Sequence, residues 1–396
     1  METPQSLEKI TKDAASEQST GLKAQSCFAT GGLIETYGAK VVSVDSTEIG
    51  DLNKGIVEIA YPIKNFGPSI PMLLTTVAGN LFELAEIENV KLLDLEIPNA
   101  YLSEFKGPKF GIDGTRKALG VYDRPLLGSV IKPCVGLKPE TFAEAAYEVA
   151  IGGMDFIKDD ELISNPEYSP IETRVSKTME ALDRSYAETG EKTLYAVNVT
   201  DEVTNLMSNA ESAISNGANC LMINVITTGF SALRMLAEDP SINVPIHCHR
   251  DMFAAFAKNP THGISSMVVS KLARLCGADH LHVGAIDGKL FEDHDTVVKS
   301  SEVLRHPWGD IKPVLPVSSG GQNPCTVEHN FELLGTDFLI LAGNAVFGHR
   351  DGATSGAKAM RQALSLALSK TPLKECPAED KELNTAIRQW QPSLFD

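Results

Sequence analysis

LGSVIKPCVGLKPETFAEAAYEVAIGGMDFIKDDE (127–161) reads as a strand, a helix and a second strand. Two short apolar runs with β-branched residues, LGSVIKP (127–133) and MDFIKDD (154–160), flank an amphipathic stretch that ends in a glycine pair, as helix C-termini do. The alternation continues through TLYAVNVT (193–200), CLMINVI (220–226), VPIHCHR (244–250), HLHVGAI (280–286), KPVLPVSSGG (312–321) and DFLILAG (337–343). Helical patterns such as ETRVSKTMEALDRSYAETG (172–190) and TDEVTNLMSNAESAISNG (200–217) separate these runs and also stop at glycine. About eight consecutive units predict an α/β protein whose parallel sheet closes into a (β/α)8, or TIM, barrel over 127–369, in preference to an open doubly wound sheet.

The rest of the 396 residues divides around that barrel. Residues 1–126 break the alternation with Gly/Pro interruptions, NFGPSIP (65–71) and EFKGPKFGIDG (104–114), and predict a separate α+β domain. Residues 370–396 read as a polar, weakly helical tail. With 43% hydrophobic and 22% charged positions the composition is globular, which excludes disorder and collagen-like structure. The net charge of −17 argues against a sequence-independent grip on nucleic acid or anionic lipid, yet leaves room for a small anion in a locally basic pocket. Seven scattered cysteines without a CxxC pair predict reduced thiols in a cytoplasmic protein, with no zinc ribbon and no disulfide framework. No apolar stretch approaches the ~20 residues a membrane span needs, and no secretory leader is legible.

In a barrel of this kind the active site lies at the C-terminal ends of the strands. Polar residues gather there: Lys132; Lys158-Asp159-Asp160-Glu161; His247, His249 and Arg250; His280 and His282; Ser318-Ser319-Gly320-Gly321; Gly343-Asn344. Singly, each has a bland explanation, since acidic clusters usually cap helices and strand histidines usually belong to the core. Their coincidence on successive strands points to chemistry. Asp160 and Glu161 offer hard oxygen ligands for Mg2+. Lys158 is a poor ligand while cationic, but a carbamate formed with CO2 would give a third oxygen donor. A metal with open positions polarises a ketone and stabilises an enediolate. Lys132 is the candidate base, since burial beside a dication draws a lysine towards neutrality, and Arg250, His282, Ser319 and the Gly320-Gly321 amides are candidate phosphate ligands.

These residues resemble the RuBisCO large-chain family from about Ser16 to Leu364. GGMDFIKDDE (152–161) is similar to its metal motif, which implies Mg2+ held by carbamylated Lys158 (N6-carboxylysine), Asp160 and Glu161. SVIKPCVGL (129–137) carries Lys132 at the enolising base, IHCHR (246–250) places His249 at a catalytic histidine and Arg250 at a phosphate contact, and HLHVGAIDGKL (280–290) supplies His282 and the mobile-loop lysine, Lys289. VSSGG (317–321) matches the sugar-phosphate residues Ser319, Gly320 and Gly321, with Gly343 from the next strand. The resemblance implies a ferredoxin-like α+β N-terminal domain in which SEQSTG (16–21) and TTVAGN (75–80) place Glu17 and Asn80 to complete the active site of a partner subunit in a homodimer. Because Met1 stands almost at the first helix, an edge strand usual in the family is expected to be missing.

Departures from the carboxylase pattern point away from a bisphosphate substrate. Leu22-Lys23 replace a Thr-Trp pair, Cys134 a lysine, Phe253 a histidine, and the glycine run after the last strand is reduced to Gly343-Asn344. One phosphate site weakens while Arg250, His282 and Ser319 remain, which fits a RuBisCO-like (type IV) protein acting on a monophosphate. Retention of Lys289, which handles a carboxylate in the carboxylases, implies decarboxylation or transcarboxylation/hydrolysis of a 3-oxo sugar acid such as 3-oxo-isoapionate 4-phosphate. The competing expectations are a methionine-salvage enolase or isomerase and, from another class, a catalytically silent regulatory protein on an inherited barrel.

Overall fold

The computed structural model describes residues 1–21, 28, 31–49 and 52–391, so the departure at Leu22-Lys23 lies outside the described residues. Two compact units are formed, Met1–Phe105 with Phe253–Leu272, and Lys106–Met252 with Ala273–Asp396.

The second unit is the expected barrel. Its strands are Leu126–Val130, Phe156–Lys158, Leu194–Asn198, Cys220–Asn224, Ile246–His249, His280–Gly284, Leu315–Ser319 and Leu339–Ala342. Each pairs in parallel with the next, and the last returns to the first from Leu339↔Leu126 to Ala342↔Ser129, closing the sheet. The helices follow from simple local rules. Pro139–Ile151 has proline in its first turn and buries Phe142, Ala146 and Val149, one face at helical spacing. Ile171–Thr189 ends on Gly190, which takes the left-handed φ of 71° that a Cβ would disfavour.

Strand alternation sends Leu126, Phe156, Leu194, Met222, Leu315 and Leu339 into one interior cluster, with Ile112 and Leu119 of helix Gly111–Leu119 added to it. His247 and His280 belong to this interior, fully buried, with rings 5.0 and 5.5 Å from that of Phe156. The sequence reading set them beside His249 and His282 at the strand ends. A period of two puts i and i+2 on the same inward face but about 6.6 Å apart in depth, so these two histidines line the core below the mouth. Asp279, buried just ahead of the sixth strand, accepts the backbone N–H groups of Phe110 (2.7 Å), Gly111 (2.7 Å) and Ile246 (2.8 Å). Burial pushes its carboxyl up to about 6, against the pull of those amides.

The first unit is α+β, as expected. Glu2–Thr3, Leu52–Ala60 and Lys40–Ile49 form an antiparallel sheet with Leu52–Ala60 in the middle, so a first strand is present but only two residues long. Helix Leu7–Glu17 buries Leu7, Ile10, Ala14 and Ala15. Lys91–Leu92 and Gly263–Ile264 make a separate parallel pair.

The C-terminal stretch is better ordered than its polarity suggests. Helix Lys381–Trp390 buries Leu383, Ala386 and Ile387, and Gln362 of the last barrel helix, Ala353–Ser369, accepts from the Leu383 N–H at 2.8 Å and donates to Glu382 at 2.9 Å. No helix among the described residues is long and apolar enough to cross a membrane. Cys134, Cys220, Cys248, Cys276, Cys325 and Cys376 are free thiols.

Candidate active site

The second barrel strand delivers Lys158 fully buried at its last position, and the turn Asp159-Asp160-Glu161 follows. The three acids divide sharply. Asp159 faces inward, where it accepts from Tyr195 Oη (2.6 Å), the Asn198 N–H (2.9 Å) and the buried guanidinium of Arg174 (3.1 Å). That network uses Asp159 as an anchor and leaves its two neighbours for the mouth. Lys158 Nζ donates to Glu161 Oε2 at 3.1 Å, while Lys132, from the end of the first strand, donates to Asp160 Oδ2 at 2.6 Å and to Cys134 Sγ at 2.9 Å. The side-chain amides of Asn198 and Asn224 hold the Glu161 carbonyl at 3.3 and 3.1 Å.

Charge pairing dominates this corner. Burial is the largest influence on Glu161 and would raise its pKa, but the charge of Lys158, with its hydrogen bond, outweighs it and holds the carboxyl well below the usual range. Burial likewise pulls Lys132 down, yet its bonds to Asp160 and Cys134 leave it above the ordinary lysine value. The expected drift of Lys132 towards neutrality calls for a dication beside it; with Asp160 and Cys134 as its partners the ammonium form is favoured. Two carboxylates face two ammonium groups. Carbamylation of Lys158 would turn one cation into an anion and leave Lys158, Asp160 and Glu161 as three oxygen donors with two negative charges in excess, a set that fits a hard dication such as Mg2+.

Beyond His249 the histidines form a relay. The rings of His249 and His282 are 4.3 Å apart, His282 Nε2 lies 2.8 Å from His247 Nε2, and His282 Nδ1 lies 2.6 Å from Ser319 Oγ. His247 Nδ1 is buried with no partner. An orphaned lone pair is cheaper there than an orphaned N–H, which assigns the protons: His247 donates to His282, and His282 donates to Ser319. Ser319 is then left to direct its own O–H elsewhere. Burial first, then neighbouring positive charge, lowers the pKa of His282, His247 and His249 and keeps all three neutral, His249 at about 3.

Ser319 leads into Gly320 and Gly321, whose φ values of 106° and 90° belong to glycine's range. The exposed loop after the sixth strand rests on them: Lys289 N–H donates to the Gly320 carbonyl at 2.9 Å, and a Cβ on Gly321 would stand 3.1 Å from Lys289 N. Arg250 is buried and ion-paired with buried Glu292, a residue the sequence reading missed. At the end of the eighth strand, a Cβ on Gly343 would lie 3.1 Å from Lys132 Cε, so the missing side chain leaves room for that lysine.

The structure thus gathers Lys132, Lys158, Asp160, Glu161 and His249 in one cluster, and His282, Ser319, Gly320, Gly321 and Lys289 in another, joined through His249 and His282. Glu17 and Asn80 lie in the first unit, at the ends of helices Leu7–Glu17 and Ile70–Ala78. Gln18 brings those ends together by donating to the Thr75 and Thr76 carbonyls at 3.3 and 2.9 Å. Phe253, at a departure from the family pattern, is buried. Asp159, Arg174, Glu292 and His247 gave no signal of their role, since each acts through partners that only the folded chain supplies.

Both parts of the sequence have counterparts among known proteins. Residues 111–390 match the ribulose bisphosphate carboxylase large chain, catalytic domain, and residues 2–101 match the N-terminal domain of that large chain. The chain is 44% identical over 393 residues to a ribulose bisphosphate carboxylase-like protein of Archaeoglobus fulgidus, covering 97% of this chain and 89% of the relative. Among solved structures, the octameric ribulose-1,5-bisphosphate carboxylase/oxygenase of Pyrococcus horikoshii superposes with a TM-score of 0.92 at 37% identity, covering 98% of this chain and 91% of that one. A rubisco-like protein (MtnW) from Alicyclobacillus acidocaldarius gives 0.89 at 32% identity, covering 97% and 95%.

Proposed function

Because the chain belongs to the ribulose bisphosphate carboxylase large-chain family, we propose that it is a RuBisCO-like, Mg2+-dependent cytoplasmic enzyme working through an enediolate on a monophosphorylated 3-oxo sugar acid. The substrate proposed is 3-oxo-isoapionate 4-phosphate, with decarboxylation or transcarboxylation/hydrolysis as the reaction. The observation that supports this reading is the docking of the Lys289 backbone on Gly320-Gly321 beside the Ser319 relay, which brings the lysine proposed to bind the carboxylate close in the chain fold to the residues proposed to bind the phosphate.

Mg2+ held by Lys158 as its carbamate, Asp160 and Glu161 would polarise the ketone and stabilise the enediolate. The remaining work falls to side chains. Ser319 O–H and the Gly320 and Gly321 amides bind the phosphate, oriented by His282, while Arg250 balances its charge against Glu292. Lys289 holds the departing carboxylate. As the carbon-carbon bond to the carboxylate breaks, its electron pair enters the enediolate and CO2 leaves; Lys132, held by Asp160, then returns a proton to carbon. Glu17 and Asn80, supplied by a second copy of the chain, complete the site.

The test is proton NMR in D2O of the purified protein with Mg2+, bicarbonate and 3-oxo-isoapionate 4-phosphate. A tetrulose phosphate identifies the decarboxylase, and phosphoglycerate with glycolate identifies the transcarboxylase/hydrolase. The likeness to MtnW favours a second reading, the methionine-salvage 2,3-diketo-5-methylthiopentyl-1-phosphate enolase or methylthioribulose-1-phosphate isomerase. Turnover of those substrates with none of the 3-oxo acid would overturn the first reading. Lys289→Ala separates the two, since it abolishes carboxylate chemistry but spares simple proton exchange. A protein that fails to bind Mg2+ even with bicarbonate would instead be a silent regulator.

A further inference from the structure

We propose that Asp287, His294 and His329 form a second metal site, for a divalent transition ion of the Zn2+ class, on the loop that carries Lys289. The three residues come from three elements of the barrel unit: the loop after the sixth strand, the first residue of helix His294–Arg305, and helix Val327–Leu334. Their ligand atoms all lie within 4.8 Å of one another. Asp287 divides its carboxylate between the imidazoles, with Oδ1 3.2 Å from His294 Nε2 and Oδ2 2.6 Å from His329 Nδ1. The two rings stand nearly perpendicular, 5.2 Å apart.

Donor chemistry selects the ion. Two imidazole nitrogens and one carboxylate suit Zn2+, Co2+ or Ni2+, whereas Mg2+ prefers oxygen alone. His294 Nε2 accepts the Asp287 backbone N–H at 3.2 Å, which leaves this nitrogen unprotonated, and an ion would take that lone pair in place of the amide. A tetrahedral ion about 2.0–2.1 Å from each donor sets neighbouring donors about 3.4 Å apart. The 3.2 and 2.6 Å separations to the two Asp287 oxygens and the 4.8 Å within which all three donors lie bracket that value, and side chains that are 38–44% exposed can rotate to it and give an ion its entry path. Asp287 further holds a φ of 51°, a left-handed conformation that costs a non-glycine residue about 1 kcal/mol or more. Residues held in such conformations cluster at ligand clamps.

The consequence is a staple. Asp287 precedes Lys289 by two residues, and Lys289 N–H is bonded to Gly320 O. An ion on Asp287, His294 and His329 would tie this loop to the helices that follow the sixth and seventh strands. The site shares no residue with Lys158, Asp160 or Glu161, so it stands or falls independently of the proposed reaction.

The experiment is a Co2+ titration of the full chain carrying Asp160→Asn and Glu161→Gln, which removes the carboxylates of the other cation site, in bicarbonate-free buffer, read by the visible absorption of bound Co2+. One Co2+ per protomer, displaced by Zn2+, is expected. Asp287→Asn, His294→Ala or His329→Ala added singly should each weaken binding at least about tenfold while the metal-free far-UV circular dichroism stays unchanged. Equal Co2+ affinity in parent and variants, or no binding at millimolar Co2+, overturns the proposal. If the doubly substituted chain does not fold, the wild-type chain titrated against His329→Ala without bicarbonate reads the same site by difference.

Discussion

Acidification should unfold this barrel from within, and His280 sets a measurable part of the effect. Its Nε2 lies 2.7 Å from Thr115 Oγ1, and that hydroxyl already donates to the Gly111 carbonyl at 2.6 Å. The imidazole must therefore donate from Nε2, which leaves Nδ1 as a bare, buried lone pair with no partner. Protonating Nδ1 would place a charge in the apolar interior, and burial accordingly lowers the pKa to about 3. The unfolded imidazole titrates near 6.5. A depressed pKa contributes stability that is present above about pH 6.5 and is lost as the pH falls towards 3. One unit below the unfolded value, at about pH 5.5, the loss through His280 alone is about 1.4 kcal/mol, and a further unit doubles it. His247 and His282 are depressed by the same burial and act in the same direction. The assay is urea denaturation followed by circular dichroism at fixed protomer concentration, comparing wild type with His280→Gln, whose amide can still donate to Thr115. Wild type should lose about 1.4 kcal/mol more than the variant between about pH 7.5 and 5.5. Equal losses would refute the reasoning.

Three further outcomes follow from particular contacts. Asp279→Asn turns an N–H against one of three backbone N–H donors and should cost about 2–3 kcal/mol of stability in the same denaturation assay. Ser319→Ala removes the hydroxyl that His282 orients, so phosphate-substrate KM should rise about tenfold, worth about 1.4 kcal/mol, with little change in kcat or melting temperature. Gly343→Ala adds a methyl 3.1 Å from Lys132 Cε and should lower kcat about ten- to a hundredfold, by displacing that lysine from Asp160, while melting stays unchanged.

The strands were legible because closed parallel barrels bury nearly every strand position, so MDFIKDD and DFLILAG stand out as apolar runs with polar ends. The motif ending in Glu161 could be read for the same reason: a charge leaving a buried strand has few structural excuses. Depth was not legible. His280 and His282 look equivalent in the sequence, yet one packs beneath Phe156 while the other reaches Ser319. Nor could the sequence divide Asp159 from Asp160, because the division depends on Arg174 and Tyr195. The link from Arg250 to Glu292 spans 42 residues and has no local signature. Polarity also misled at the C-terminus, where a narrow apolar stripe, Leu383, Ala386 and Ile387, suffices to seat a helix.

The seam between the first and last strands bears on how the protein is made. Leu126–Val130 finds its closing partner only in Leu339–Ala342, and Ser129 Oγ donates to the Ala342 carbonyl at 2.9 Å across 213 residues. During synthesis, seven strands can emerge and pair while both borders of the nascent sheet stay open to any passing chain. Ribosomes that stall after Leu315–Ser319 has left the exit tunnel but before Leu339–Ala342 has would hold the protein in its most adhesive form. Codon changes that slow translation there should raise the insoluble yield, whereas the same delay after the eighth strand has emerged should not.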